Sequence, residues 1–369
     1  METPSITVIV LAAGDGLRMQ STRPKPLHRL CGRPMIGYVL DSVESVSARR
    51  VVVVVGKGAT RMTRELADCK PITDVVEQMV RRGTGDAVRA ALTVLDDDLD
   101  TDSDDDVIIV PGDVPLLRPE LLQHLIAAHQ SSAAAATLLT AAVDLPEQAG
   151  QRMRVVRGGR DYSVVRVVDS HDLVGDEHAI TELASNVWCI RRSLLAPALR
   201  RIRPDNSAGE VHLSGIVEVL AATGHRVEVC PTELVADVAG INDRIELAAA
   251  EAELRRRINL AWLARGVTML DPDRTYIDST VELAADVTIF PGTMLQGHTV
   301  IGEGCEIGPD SRITDSHVGP GTRIETTTAE GATIGPDSHI GPFAVLAPGT
   351  ELAAATITGP FYSAGPEGP

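Results

Sequence analysis

The chain has 369 residues, more than one core usually fills, so two domains are expected. Hydrophobic residues make up 44% of it but aromatics only 2%, so its interior must be built from Val, Ile, Leu and Ala. That favours parallel sheets and stacked solenoids over an antiparallel sandwich. A formal net charge of −17 repels nucleic-acid backbones and anionic membranes, which excludes both as partners while leaving small phosphorylated substrates open to a local cationic pocket.

In chain order, the run from Ile6 to Ala13 follows no basic residue and passes directly into Gly14-Asp15-Gly16, which reads as a strand entering a loop rather than a leader. Further strands are expected at Val51 to Val55, Val107 to Val110 and Asn186 to Ile190. Between them, Pro34 to Val46, Thr84 to Leu95 and Glu120 to His129 carry apolar residues at helical spacing. This alternation up to about Val229 predicts a sheet with helices on both faces. The acidic run Leu95 to Asp106 reads as a solvated loop. Five scattered cysteines, Cys31, Cys69, Cys189, Cys230 and Cys305, lack C-x-x-C spacing and read as reduced thiols in the cytoplasm. No segment reaches the roughly 18 apolar residues of a membrane span.

Asp243 to Arg265 contains no Gly or Pro and is dense in Ala, Leu, Glu and Arg, which predicts one long helix between two domains. Beyond it Ile289, Leu295, Ile301, Ile307 and Ile313 recur every six residues, continued with slips by Val318, Ile324, Ile334 and Ile340. A six-residue period with one inward aliphatic per repeat is the pattern of a parallel β-helix, and the period alone leaves its handedness open. Three segments are therefore expected: an α/β domain over 1–241, a linker helix over 242–265 and a β-helix over 266–369.

The chemistry concentrates at the end of the first strand, in Leu11-Ala12-Ala13-Gly14-Asp15-Gly16-Leu17-Arg18-Met19 followed by Pro24-Lys25-Pro26-Leu27-His28. Open α/β sheets place ligands at such strand ends. Small residues let the backbone approach a triphosphate, its N–H groups can donate to phosphate oxygens, and Arg18 and Lys25 can neutralise charge. The bland reading is a glycine turn with two solvated cations. His28, just beyond the loop, is a weak candidate for substrate contact.

This segment resembles the signature of the sugar-phosphate nucleotidylyltransferases. With the hexapeptide tail, nearly the whole chain is similar to bacterial N-acetylglucosamine-1-phosphate uridylyltransferases that carry a second, acetyltransferase activity. The resemblance implies an α/β fold: a Rossmann-like nucleotidyltransferase domain, a linker helix and a short left-handed parallel β-helix. It implies an enzyme that joins an NTP to a sugar 1-phosphate and releases pyrophosphate, with UTP and N-acetylglucosamine 1-phosphate as the leading pair. Carried over, nucleotide binding falls on Leu11, Ala12, Ala13, Gly14, Gly16, Gln78, Gly83 and Thr84, with Arg18 and Lys25 as the catalytic cations. Asp113, in Pro111-Gly112-Asp113-Val114-Pro115-Leu116, and Asn242, in Ala239-Gly240-Ile241-Asn242, fall on the Mg²⁺ ligands.

The acceptor pocket departs from the family pattern. Ala149-Gly150-Gln151-Arg152 stands for a Gly-Tyr-Gly-Arg loop, Asp169 for a glutamate and Ala184 for an asparagine, so Gln151, Asp169, Ala184 and Asn242 are the expected substrate contacts. Arg81 stands for a second Gln, Leu17 for Thr, Pro111 for Tyr, and Asp205 to Glu210 leads to Gly215 in place of Asp. These departures raise a specialised paralogue using GTP, dTTP or ATP and another sugar or a valienol-like cyclitol phosphate. A non-catalytic assembly protein competes with both enzyme readings, as does a transferase acting on methylerythritol phosphate or molybdopterin. The family's His-Leu-Thr-Tyr acetyltransferase motif does not follow the last histidine, His339, so no acetyltransferase activity is expected. The solenoid is expected to form a homotrimer, capped by a loose tail from Gly359 to Pro369.

Overall fold

The computed structural model describes residues 5–14, 16–56, 59–67, 69, 74–95, 105–159, 161–204 and 209–365. Asp15 and most of the acidic run, residues 96–104, lie outside them, as do residues 205–208 and 366–369. The chain divides into two compact units. The first comprises Met1–His28 and Pro34–Glu246, the second Arg29–Arg33 and Leu247–Pro369. Among the described residues no helix is long and apolar enough to cross a membrane.

The first unit is a nine-stranded mixed sheet. Its elements are β1 (Ile6–Ala12), α1 (Met35–Glu44), β2 (Arg50–Gly56), α2 (Thr60–Ala67), β3 (Asp74–Gln78), α3 (Thr84–Leu92), β4 (Asp106–Pro111) and α4 (Pro119–Ser132). There follow β5 (Ala136–Ala142), β6 (Met153–Gly158), β7 (Ser163–Val168), β8 (Glu182–Arg191), α5 (Arg192–Arg201), α6 (Ile216–Ala222) and β9 (Val227–Thr232). The strand order is β9-β5-β8-β4-β1-β2-β3, and the antiparallel hairpin β6-β7 is attached to β8. Strands β4, β1, β2 and β3 are parallel, so their carboxyl ends open on one side.

The β-branched runs form these strands because alternate residues feed two separate cores. Ile9, Val52, Val54, Val107 and Ile109 face one side with Ala87, Val88 and Leu199 of the helices. Val8, Val10, Val53, Ile108 and Val110 face the other with Ile36, Leu40, Met62 and Leu122.

The acidic run is not wholly a solvated loop. Its last residues, Asp105 and Asp106, are 2% and 4% exposed. Asp106 opens β4 with a carboxylate oxygen 3.2 Å from His129 Nε2 on α4, while Asp105 stands 4.0 Å from Arg192. Buried carboxylates persist where such partners meet them.

In the second unit, α7 (Arg244–Ala264) leads into short parallel strands stacked as three sheets of five, six and five. Each sheet stacks one inward column. Met269, Ile289, Ile307, Ile324 and Ile340 pair successively in the first, Ile277, Leu295, Ile313, Ala329 and Leu346 in the second. Leu283, Ile301, Val318, Ile334 and Leu352 form the third. The six-residue period therefore maps onto a parallel β-helix, each aliphatic taking its turn in one of three columns. The tail is less loose than its composition implies, because Ser363–Ala364 pairs with Val345–Leu346 as a further strand. Cys31 also belongs to this unit: its backbone N–H donates to the Glu251 carboxylate at 2.9 Å. Burial and that carboxylate hold the Cys31 thiol well above its ordinary pKa.

Candidate active site

A cavity of about 600 Å³ opens at the carboxyl ends of β1, β3 and β4. Leu11, Ala12, Ala13, Gly14 and Gly16 line it, with Leu17, Arg18, Lys25 and Pro26 continuing the wall. The loop needs glycine at 16, where φ is 60° and a Cβ would lie 2.7 Å from Lys25 Cβ. The omission of a side chain there is what lets Lys25 fold back toward the strand ends.

Lys25 makes an ion pair with Asp113 and donates to Asn242 Oδ1 at 2.9 Å. Asp113 follows β4 and Asn242 precedes α7, so residues far apart in sequence converge on a single cation. Asn242 is held in turn by its backbone N–H donating to the Glu246 carboxylate at 2.6 Å. A carboxylate and an amide oxygen that already meet one positive charge form a hard donor set. They suit Mg²⁺, which takes few protein oxygens and retains water and phosphate.

His28 is 3% exposed and does not line the cavity. Arg244 braces the loop from below, with Nε donating to the Met19 carbonyl at 3.2 Å and Nη1 lying 3.4 Å from His28 Nδ1. Burial, then the Arg244 charge, pushes the His28 ring below its ordinary pKa. His28 is part of the support of this loop.

At the other end, Gln78 closes β3 and Gly83-Thr84 opens α3, and all three line the cavity. Gly83 has φ 101°, and a Cβ there would stand 2.5 Å from the Val211 carbonyl. That close approach brings a second segment to the site. Val211 N–H donates to the Arg82 carbonyl at 2.7 Å, Gly85 N–H to the Val211 carbonyl at 2.8 Å, and Leu213 N–H to Thr84 Oγ1 at 2.9 Å. Through these bonds Glu210, His212 and Ser214 join the lining. Arg81 also lines it, with its guanidinium 2.6 Å from where a Gly56 Cβ would be.

The expected acceptor residues divide. Asp169 lines the cavity and its carboxylate accepts from His171 N–H at 3.1 Å. Gln151 is exposed outside the lining and accepts from Arg18 Nη1 at 3.1 Å. Ala184 does not reach the cavity: it is 7% exposed and packs in the core. The pairing of β8 with β5 shifts register between Ala184 and Trp188. Within that stretch Ser185 Oγ donates to the Leu139 carbonyl at 2.7 Å, and Asn186 is presented to the cavity. Asn186, Glu210, His212, Ser214 and Met153 are thus lining residues that sequence reasoning missed. For Asn186 a signal existed, an amide two positions along the strand from Ala184.

Asp106, His129 and Cys189 form a buried group whose donor atoms lie within 4.8 Å of one another. Asp106 opens β4 and Pro111 ends it, so this group stands at the opposite strand end from the cavity. His129 Nδ1 lies 2.9 Å from Thr137 Oγ1.

The family model of the MobA-like NTP transferase domain matches residues 8–225. The bifunctional protein GlmU of Streptomyces avermitilis is 41% identical over 354 residues, covering 96% of this chain and 72% of the relative. The chain belongs to the GlmU family. GlmU of Streptomyces coelicolor is 40% identical, covering 97% of this chain and 73% of the relative. GlmU of Desulfitobacterium hafniense is 38% identical, covering 97% and 76%. This GlmU-family chain is accordingly a sugar-phosphate nucleotidyltransferase.

Proposed function

We propose that the chain transfers a uridylyl group from UTP to N-acetylglucosamine 1-phosphate and releases pyrophosphate. The observation that carries this reading is the meeting of Lys25, Asp113 and Asn242 beside the glycine loop, in one cavity with Gln78 and Thr84. An oxygen of the acceptor phosphate attacks the α-phosphorus in line. The bond from that phosphorus to the bridging oxygen breaks, and pyrophosphate departs with the electron pair. Such transfers rest on positioning and charge neutralisation and need no protein nucleophile.

Backbone N–H groups of the loop receive the triphosphate, and Arg18 counters charge at its rim. Asp113 and Asn242 would hold Mg²⁺, which supplies charge neutralisation on phosphate oxygens. The Lys25 ammonium, which spans those two residues here, turns to the phosphates. Asp169, Asn186, Glu210, His212 and Ser214 offer hydrogen bonds to the acceptor. To these 369 residues, which contain no His-Leu-Thr-Tyr motif, we assign nucleotidylyl transfer alone. We also infer a cytoplasmic homotrimer assembled through the β-helix, since its nucleotide substrates are cytoplasmic and its stacked coils present flat sides. Light scattering on the purified chain tests the trimer.

A second reading keeps the reaction and changes the substrates, to another hexose or a valienol-like cyclitol phosphate and to GTP, dTTP or ATP. It is favoured by Ala184, which packs in the core and offers no hydrogen bond, while Asn186 supplies an amide to the cavity wall. Pyrophosphate release with Mg²⁺, across the NTPs and a panel of hexose, hexosamine and cyclitol 1-phosphates, decides between the two. Turnover confined to UTP and N-acetylglucosamine 1-phosphate upholds the first reading. Turnover with another pair establishes the second, and silence across the panel defeats both.

A further inference from the structure

Gln78 is 5% exposed, and the environment of its amide nitrogen is unusually one-sided. Nε2 donates to the Gly83 carbonyl at 3.3 Å and to Asp86 Oδ2 at 3.0 Å. Both partners can only accept, so the amide has one orientation: turned over, its oxygen would face two other oxygens. Asp86 sits in the first turn of α3, adjoining the loop that carries Gly83 and Thr84. With both amide protons directed at protein oxygens, Gln78 Oε1 has no protein partner among the described residues, and Gln78 lines the cavity. Arg81, which only donates, lines the same end.

We propose that Asp86 is a positioning residue for base selection: by holding the Gln78 amide nitrogen, it presents Oε1 to the nucleobase as a fixed acceptor. Such a site takes a base with a ring N–H beside a carbonyl, as in uracil, thymine and guanine. It rejects cytosine and adenine, whose corresponding ring nitrogen carries a lone pair that would face the Oε1 lone pairs. A buried acceptor left opposite another acceptor loses its hydrogen bond to water and gains none, which is the strongest form of discrimination a polar site has. The inference rests on the reading that this cavity binds an NTP, and it adds what fixes the base.

The test is equilibrium binding of UTP, dTTP, GTP, CTP and ATP by calorimetry to the full chain with Mg²⁺, which needs no acceptor, followed by Asp86→Ala and Asp86→Asn. The wild type is expected to bind UTP at least about a hundredfold more tightly than CTP. Asp86→Ala frees the amide to turn and narrows that ratio about tenfold, chiefly by improving CTP. Asp86→Asn, whose amide can donate as well as accept and so no longer dictates how Gln78 turns, is expected to narrow the ratio in the same direction but by less. A merely structural role for Asp86 would weaken UTP and CTP together and leave the ratio unmoved, which overturns the proposal, as does wild-type protein that binds CTP as well as UTP. Binding of no NTP at all would instead bring down the nucleotide reading itself, and this inference with it.

Discussion

In the β-helix, Ile289, Ile307, Ile324 and Ile340 stand in one column and do the same work at each level, filling an axis built from aliphatic side chains. Around the cavity of the first unit no two residues are interchangeable. Gly16 omits a side chain for Lys25, Asp113 and Asn242 share a cation, Thr84 accepts from Leu213, and Asn186 adds an amide to the wall. One region is stabilised by repetition and has little chemistry to lose. The other concentrates chemistry on loops whose shape is held by single contacts from distant segments. Substitutions should therefore separate the two: those near the cavity should cost turnover, and those in the coils should cost stability.

The largest effect is expected from Asp113→Ala. It removes the carboxylate that pairs with Lys25 and half of the oxygen donor set, while the half-buried position leaves no cavity in a core. Pyrophosphate release should fall about a thousandfold in kcat/KM, the scale of losing an electrostatic contact made at the reacting phosphates. The melting temperature should stay within about 2 °C. Unfolding in place of inactivation would show that the Lys25 and Asn242 contacts hold the fold, and the contrast between the regions would fail.

Ile307→Ala is the counterpart in the coils. Ile307 is fully buried and pairs with Ile289 below it and Ile324 above. Truncation should cost about 3 kcal/mol in denaturant unfolding, the transfer loss plus the void left behind. Turnover per folded molecule should be unchanged. A parallel loss of kcat would mean that the coils contribute to the chemistry.

How much of this was legible beforehand follows the same division. The β-helix columns could be read because a column is a period, and a period is a property of sequence alone. The first loop could be read because its glycines, Arg18 and Lys25 are close neighbours in the chain. Asn186 left a signal, an amide two positions along the strand from Ala184, but its place in the cavity lining could not be read from that alone. Glu210, His212 and Ser214 could not either. They reach the cavity through backbone bonds between Val211 and Arg82, and between Leu213 and Thr84, which leave no mark in composition. Asp106 misled for a related reason: it ends an acidic run that looks solvated, and its partner His129 is on another element.

Gly16→Ala sharpens the comparison at an intermediate size. The backbone there is left-handed, and the added methyl would lie 2.7 Å from Lys25 Cβ. Both effects push Lys25 away from Asp113 and Asn242. A fall of about tenfold in kcat/KM is expected, with about 1 kcal/mol of lost stability from the strained backbone. Full recovery of activity at higher Mg²⁺ would place the damage at the metal donors instead of at Lys25, against this account.

The smallest expected effect belongs to α7. Glu253 accepts from Arg256 Nε at 2.8 Å and from Arg257 Nε at 2.7 Å. The Arg256 hydrogen bond is the main cause that lowers its pKa from 4.5 to about 2, with Arg257 adding to it. A carboxylate depressed in the folded state stabilises the protein above its unfolded pKa, and that contribution disappears as pH falls through the folded value. The stabilisation is therefore complete above about pH 4.5 and lost between there and about pH 2. Arg256 is 53% exposed, so water and salt screen most of the attraction and only a small share survives as stability. Between about pH 6 and about pH 3 the wild type should lose about 1 °C more in melting temperature than Glu253→Gln. Added salt should shrink that difference. An equal fall in both proteins would mean that the Glu253 pairs, though well formed, contribute nothing to the helix on which the coils begin.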